Sequence, residues 1–213
     1  MLDTRTRLIH AALLTVREDG LAAASARTIA ARAQANQALI FYHFHTVTEL
    51  LEAASNAAVD DSVRQYRDAF SSVQSLPDLL TVGRQLHERE RGNGNVALMA
   101  QLMAGAQHDP VLARATQYAM AAWTSEIRAV LGRVLTGSPV VDLIDIEGLA
   151  HVISAGFIGI ELYDGVNAAG ASRALSTLED LGQLLEVVND LGPVATRAFR
   201  GKIRTAKRRP ARS

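Results

Sequence analysis

Helical periodicity runs through almost the whole chain, whereas the strict alternation of apolar and polar residues that marks β-strands is nearly absent. Leu, Ala, Arg, Gln and Glu, which favour helices, are plentiful. Apolar residues make up 48% of the 213 positions, which is enough to bury a substantial core and argues against wholesale disorder. The pattern therefore predicts an all-α fold of about nine or ten helices.

Capping and breaking residues set the predicted helix boundaries near the N-terminus. The first helix is predicted over Thr4–Asp19, with Gly20 as its C-terminal stop. Ser25 is a good N-cap for a short second helix that ends near Ala33. A third helix is predicted from Gln37 to about Phe44, after a tight polar connection. These first helices are short, and the ones that follow are longer.

Later breakers divide the rest of the chain into further helices. The predicted segments run from Val47 past Ala58, from Pro77 to about Arg91, over 96–107, from Asp109-Pro110 to about Leu135, over 142–166 and over 172–189, with a short helix after Gly192-Pro193.

Several compositional features exclude whole classes of protein. The chain has no cysteine, which removes disulfides and thiolate metal sites and fits a reducing compartment. The first ten residues mix charges and lack the apolar core of a signal peptide. The best candidate for a membrane span, Leu149–Ile160, is too short and contains His151 and two glycines. These features predict a cytoplasmic protein that does not associate with a membrane.

Charge is distributed unevenly, although the net charge is zero. Residues 1–53 carry five Arg against five acids, residues 54–196 carry nine Arg against 17 acids, and residues 197–213 carry six Arg and two Lys against none. A neutral head, an acidic body and a basic tail suit a protein that turns only one end toward phosphates. Whether the tail itself touches DNA stays open.

The segment from Ser25 to Leu51 carries the functional signal. Two short helices joined by a turn of three or four residues predict a helix-turn-helix unit, whose second helix enters a DNA major groove. Apolar positions suited to packing this unit are Ile29, Ala30, Ala33, Ala35, Ile40 and Phe44. The positions between them are predicted to face outward, and these are Gln37, Ala38, Leu39, Phe41, Tyr42 and His43. This set contains more aromatic rings than a solvent-facing surface normally shows.

This segment resembles the N-terminal DNA-binding domain of the tetracycline-repressor (TetR) family. Members show a small or threonine cap, an Ile-Ala pair, an Ala-Gly-Val-Ser-like turn, a Leu-Tyr-x-His-Phe run and a Lys-x-x-Leu-Leu helix start. The matching positions here are Ser25, Ile29-Ala30, Ala33-Gln34-Ala35-Asn36, Ile40-Phe41-Tyr42-His43-Phe44 and Val47-Thr48-Glu49-Leu50-Leu51. The resemblance covers roughly residues 4–55 and implies a helix-turn-helix at about residues 25–44.

The departures from the family pattern affect the expected phosphate contacts. Gln34 stands where the turn usually has glycine, Phe41 replaces a tyrosine that commonly donates to a phosphate, and Val47 replaces a phosphate-holding lysine. We therefore expect fewer charge-assisted contacts than in most relatives, and more use of Arg5, Arg7, Arg27, the tail and backbone amides at helix N-termini.

Individual roles follow from side-chain chemistry. Ser25 is either a cap alone or a cap that also presents amides to a phosphate. Arg27 lies in the first turn of a helix, where a cation gains nothing from the helix dipole, so its position indicates a phosphate partner. Gln37 can bind adenine N6 and N7 together, and Asn36 either does the same or only caps the helix.

The remaining recognition-helix positions suit apolar or phosphate contacts. Ala38 and Leu39 fit a thymine methyl, whereas Tyr42 and His43 suit phosphates, with helix packing as the alternative for His43. The full predicted DNA-binding set is Ser25, Arg27, Thr28, Asn36, Gln37, Ala38, Leu39, Phe41, Tyr42 and His43.

No motif indicates catalysis, a metal or a cofactor. His43 and His45 are two residues apart, the wrong spacing for one helical face, and no His-x-x-x-His occurs. Gly-x-Ser-x-Gly, Walker and dinucleotide-binding motifs are also missing from the sequence. We therefore predict that the chain is not an enzyme and that it has no catalytic or metal-binding residues and no cofactor.

For the region after residue 55 the resemblance implies an effector pocket and a dimer formed by the last two long helices. The predicted domains are a DNA-binding domain over 1–55, a ligand-binding and dimerisation domain over 56–200, and a basic, disordered tail over 201–213. Candidate pocket residues, for which core packing is the alternative, are Phe70, His87, Met99, Met103, Gln107, Met120, Trp123 and His151. Candidate dimer residues are Leu149, Ile153, Gly156, Phe157, Ile160, Leu178, Leu181, Leu184, Leu185 and Val188.

The functional prediction is a homodimeric transcriptional repressor that a small, largely apolar effector releases from a palindrome-like operator in double-stranded DNA. One alternative is an all-α interaction or adaptor module that kept the helix-turn-helix shape without reading DNA, which the neutral head and Val47 favour. A third is an all-α enzyme using the Met/Trp-rich region, which lacks an identifiable acid–base pair. The sequence names neither effector nor operator, and leaves repression and activation both open.

Overall fold

The computed structural model describes residues 3–93, 95–138, 141, 144–189 and 191–208. Within these ranges the chain forms ten α-helices and one short 3₁₀-helix, so the predicted all-α fold is confirmed. The helices are α1 (Thr4–Asp19), α2 (Ala26–Arg32), α3 (Ala38–Phe44), α4 (Val47–Ser72), α5 (Leu76–Asn93), α6 (Asn95–Ala106), α7 (Pro110–Val134), α8 (Ile146–Asp164), α9 (Ala168–Asn189) and α10 (Pro193–Arg208), with the 3₁₀-helix at Leu21–Ala23.

The ends of the helices follow local chemistry. The Asp3 carboxylate accepts a hydrogen bond from the Thr6 amide at 2.7 Å and begins α1. That bond also holds the pKa of Asp3 below its usual value. Gly20, at φ +86°, ends α1, and its N–H donates to the Val16 carbonyl. At the start of α5, Ser75 and Asp78 each accept a hydrogen bond from the other's backbone amide, which is a capping box.

One compact unit comprises the described residues up to Arg67 together with His87–Trp123. Its main core joins buried residues of α1–α4 to Leu102 of α6 and Leu112 of α7. A second cluster, formed by Val59, Val63 and Ala119, packs against Met99 and Trp123. Helix α4 therefore contributes to both cores of this unit, through Leu50, Leu51 and Ala54 in the first and through Val59 and Val63 in the second.

The other unit comprises Asp68–Leu86 and the described residues from Thr124 onward. Helices α8 and α9 pack on each other within it. Polar contacts join its helices: Arg84 Nε donates to Glu179 Oε1 at 2.6 Å, and the hydroxyls of Thr124 and Ser154 lie 2.9 Å apart. The hydrogen bond from Arg84 holds the pKa of Glu179 below its ordinary value.

Three sequence-based expectations differ from the structure. The compact units do not divide at residue 55, because α6 and the start of α7 share a core with α1–α4. Residues 201–208 continue α10 rather than forming a disordered tail, since the segment keeps a helical pattern up to Arg208; residues 209–213 lie outside the described ranges. The apolar stretch Leu149–Ile160 belongs to a 19-residue helix, α8, which is long and apolar enough to span a membrane. A single such helix is weak evidence for a span.

Candidate nucleic-acid interface

The predicted helix-turn-helix consists of α2, the turn after it and α3. Ile29 and Ala30 on α2, with Ile40 and Phe44 on α3, are buried in the core that they share with α1 and α4. Ile29 and Ile40 are fully buried, so each short helix is held by at least one aliphatic side chain. Burial of apolar surface, rather than intrinsic propensity, is what stabilises seven-residue helices like these.

Side-chain caps fix the start of both helices. Ser25 Oγ accepts a hydrogen bond from the Thr28 amide at 3.1 Å and contacts the Thr28 hydroxyl at 2.7 Å, so the predicted N-cap of α2 is confirmed. Asn36, which precedes the N-cap residue Gln37, accepts a hydrogen bond from the Ala38 amide through Oδ1 at 2.8 Å, a contact consistent with the capping alternative for this residue. Both caps pre-order the backbone on either side of the turn.

We expect Ser25→Ala to lower the free energy of unfolding by about 1 kcal/mol, because the Thr28 amide loses its acceptor. Ser25→Asp is the matched control, since aspartate restores an acceptor at the same position and is expected to keep most of the stability. Chemical denaturation of the three proteins measures the difference, and equal stability of the alanine and aspartate variants would contradict the capping role.

Among the described residues, two other than glycine have positive φ, one in the turn between α2 and α3 and one directly after α3. Gln34, at the position where the family usually has glycine, adopts φ +51°, and His45, which follows α3, adopts φ +61°. Residues other than glycine rarely adopt this region, so both positions hold some backbone strain. Gln34 therefore adopts a backbone conformation that glycine would adopt without this strain.

The exposed face of α3 holds several of the residues predicted to contact DNA. Gln37 and Ala38 are exposed, Phe41 is 47% exposed and Tyr42 is 77% exposed. Thr28, Leu39 and His43 are half-buried, and Leu39 packs against the core. The prediction that all six positions face outward is therefore wrong for Leu39, which directly precedes the fully buried Ile40 and packs at the edge of the same core.

Aromatic rings line this face and its edge. The rings of Tyr42 and His43 lie 5.0 Å apart edge to face, and the Arg5 guanidinium carbon lies 5.1 Å from the centroid of the Phe44 ring. The cation–π contact places an exposed guanidinium of α1 next to α3. The sequence analysis named Arg5 as a cation but gave no sign of this contact, since the two residues are 39 positions apart.

The arginines near α3 differ in whether acidic side chains of the same chain pair with them. Arg32 forms ion pairs with Glu18 and, at 2.9 Å, with Asp19. The hydrogen bond that Arg32 donates to Glu18 is the main reason that the pKa of Arg32 lies above its ordinary value. Arg27 is exposed in the first turn of α2. The charge of Arg32 is therefore largely balanced within the chain, and Arg27 and Arg5 are the better-placed cations.

Comparison with known proteins agrees with this architecture. Residues 8–54 match the family model described as bacterial regulatory proteins, tetR family. The HTH-type nicotine-responsive transcriptional repressor HdnoR of Paenarthrobacter nicotinovorans is 40% identical over 62 residues, a match that spans 29% of this chain and 32% of that protein. Over residues 8–54 this chain is therefore similar to the tetR family of bacterial regulatory proteins.

Solved structures extend the likeness to most of the chain. A transcriptional regulator from Rhodococcus sp. RHA1 is 22% identical with a TM-score of 0.70, and covers 90% of this chain and 100% of its own. Salmonella enterica GusR is 19% identical with a TM-score of 0.69, and covers 88% and 96%. At these identities the likeness establishes the TetR-like fold beyond the N-terminal segment. The family that residues 8–54 match is described as one of bacterial regulatory proteins.

The predicted pocket residues of this TetR-like chain are only partly brought together. Met99 and Trp123 pack on the Val59–Val63–Ala119 cluster, and the Trp123 ring lies 6.0 Å from that of Tyr66. His87 is buried, and Met103 and Met120 are half-buried, in the same compact unit. Gln107 is exposed in that unit, whereas Phe70, which is buried, and His151 belong to the other one. His151 lies on the surface, 3.8 Å from Glu147.

The predicted dimer residues lie on two packed helices with a large exposed apolar surface. Leu181 is 50% exposed and Leu184 62% exposed on α9, and Val152, which the sequence analysis did not select, is 67% exposed on α8. Gly156 is exposed, and a Cβ built on it or on Gly159 meets no atom within 4 Å. Packing within this chain therefore does not explain either glycine.

Proposed function

We propose that this TetR-like protein is a homodimeric repressor that binds a palindrome-like operator and is released from it by a small, largely apolar effector. The observation that carries the proposal is the outer face of α3 together with its N-cap, where Tyr42 and Gln37 are exposed while the other side of the helix is buried in the core. A rigid short helix with polar and aromatic groups on its outer face fits a major groove.

The proposed contacts divide into two kinds. Gln37 reads adenine through its amide, and Ala38 meets a thymine methyl. Tyr42, His43, Arg27 and the capped N-terminus of α2 bind phosphates and fix the register of α3 on the duplex. Because Val47 replaces a lysine, phosphate binding relies more on Arg5 and Arg27 than in relatives that keep the lysine.

The proposed dimer uses α8 and α9. Leucines and valines on both helices are exposed, and such apolar side chains would be buried by a second subunit, while Gly156 and Gly159 leave room for a second α8 to approach closely. Two-fold symmetry would set the recognition helices about 34–36 Å apart, which matches successive major grooves.

We expect Leu184→Glu to convert the dimer to a monomer of 22.8 kDa, because two carboxylates at a two-fold interface cannot both be desolvated. Leu14→Glu is the control, since Leu14 is also partly exposed, at 42%, but lies on α1. Sedimentation equilibrium distinguishes the two states, and a Leu184→Glu protein that stays dimeric would contradict this interface.

Effector response is proposed from the position of α4 and from one relative. HdnoR is described as nicotine-responsive, and it is similar to the N-terminal part of this chain. Here α4 belongs both to the core that holds the helix-turn-helix and to the cluster of Val59, Val63, Met99 and Trp123. An effector that favours one position of α4 would change the placement of α3 and lower DNA affinity by its differential binding energy.

The function is tested by binding to DNA from upstream of the protein's own gene, at two salt concentrations, with unrelated DNA of equal length as the control. We expect sequence-selective binding that weakens as salt rises, because phosphate contacts release counterions. Equal binding to both DNAs, or none, would favour the interaction-module alternative.

A further inference from the structure

A side chain of α6 bonds to the connection between α1 and α2. The backbone N–H of Leu21 donates to Gln101 Oε1 at 2.6 Å, although the two residues are 80 positions apart in the chain. Leu21 directly follows Gly20, where the chain turns out of α1 at φ +86°. Because the acceptor belongs to α6, the Leu21 amide would lose it if α6 moved away. The bond is partly buried, so leaving this amide without an acceptor would cost free energy.

Close packing surrounds this hydrogen bond. A Cβ on Gly105 of α6 would lie 2.7 Å from Leu112 Cδ1 and 3.4 Å from Leu21 Cδ2, so the absence of a side chain lets α6 pack closely against Leu112 while Leu21 lies in contact beside it. Leu102, one residue after Gln101, is 2% exposed in the core that also contains Leu8 and Ile40. Gln101 therefore lies on a helix that packs against α1 and against the 3₁₀-helix, and Leu102 beside it is anchored in the core.

We infer that Gln101 is a positioning residue for DNA recognition, an inference that rests on the proposed function. By holding the Leu21 amide it fixes the point where the chain leaves α1, and Ser25 then caps α2 only four residues later. The orientation of α2, and of α3 after it, thus depends on where α6 places one amide oxygen. Gln101 touches no DNA in this scheme and acts through the backbone of Leu21.

The test compares two substitutions of similar length. Gln101→Glu keeps an oxygen acceptor, and Gln101→Met removes it while preserving most of the packing volume. Because glutamate adds a negative charge that itself weakens DNA binding, Gln117→Glu, at an exposed position of α7, serves as the charge control. The DNA probe is the duplex sequence that the wild-type protein selects from a random-sequence library.

We expect Gln101→Met to accelerate hydrogen exchange of the Leu21 amide about tenfold and to weaken binding of the selected duplex about threefold to tenfold, with the thermal midpoint little changed. Gln101→Glu is expected to keep slow exchange at Leu21 and to bind as Gln117→Glu does. If Gln101 only filled space, Gln101→Glu would not bind DNA better than Gln101→Met. Recovery of slow exchange and of affinity in Gln101→Glu would therefore indicate that the hydrogen-bond acceptor matters.

The possible failures are distinguishable. If the wild type selects no sequence, the proposed function fails, and the positioning role fails with it. If a sequence is selected but Gln101→Met binds it as the wild type does, or loses its fold together with its affinity, the positioning role alone is overturned. If Leu21 exchange is the same in all variants, the hydrogen bond does not control this connection in solution.

Discussion

Leu8→Ala is expected to lower the free energy of unfolding of the N-terminal unit by about 2–5 kcal/mol, the range found when a buried leucine is truncated and leaves a cavity. Leu8 is fully buried on α1, in the core that joins α2, α3 and α4. Since the total stability of a domain is only about 5–15 kcal/mol, this loss removes a large part of it. Hydrogen exchange of amides in α1–α3, or urea denaturation, measures the change.

Leu14→Ala is the matched control, with the same chemical change on the same helix. Leu14 is 42% exposed, so its truncation removes little buried surface and is expected to alter stability by less than about 1 kcal/mol. Equal destabilisation by the two substitutions would mean that α1 does not present the face that the structure assigns to it.

Most of this N-terminal architecture could be predicted from residue pattern. The apolar stripe of α1 and the stop at Gly20 give its bounds, which match Thr4–Asp19 in the structure. Ser25 predicts the start of α2 because its hydroxyl can accept a hydrogen bond from an otherwise unpaired amide in the first turn of the helix, as it does from Thr28. These signals act over three or four residues, which is why sequence alone is sufficient to read them.

Long-range pairings could not be predicted in the same way. Nothing near Gln101 in the sequence indicates that its amide meets Leu21, and nothing near Arg32 indicates its pairing with Glu18 and Asp19. The shared core of α6 with α1–α4 likewise depends on tertiary packing, so a boundary at residue 55 was the natural expectation. The residues of the candidate pocket are the hardest to predict from sequence, because methionine and aromatic side chains pack in cores and in ligand sites alike.

The second large effect is expected from the exposed face of α3. Gln37→Ala is expected to weaken binding by about 1–3 kcal/mol and to relax selectivity at one base pair, since a bidentate contact to a base is lost. Tyr42→Ala is expected to weaken binding to all sequences about equally, because a phosphate carries no sequence information. Comparison of Tyr42→Phe with Tyr42→Ala separates the contribution of the hydroxyl to DNA affinity from that of the ring.

Controls separate these effects from folding and charge. Gln37 and Tyr42 are exposed, so the thermal midpoint is expected to stay unchanged in either variant. Neither residue is a cation, so the slope of log affinity against log salt concentration is also expected to stay unchanged. Arg27→Ala is expected to reduce the magnitude of this slope by about one, because one fewer counterion is released. Gln117→Ala, at an exposed glutamine on α7, is the matched control for the loss of an amide side chain.

The central claim is that the outer face of α3 reads DNA. Its most direct measurement is the affinity of the Gln37→Ala, Tyr42→Ala double variant for the duplex that the wild type selects, with the folded state of the variant verified by circular dichroism. The account predicts a loss of about 100-fold while the fold is retained. A folded double variant that binds this duplex as tightly as the wild type would contradict it.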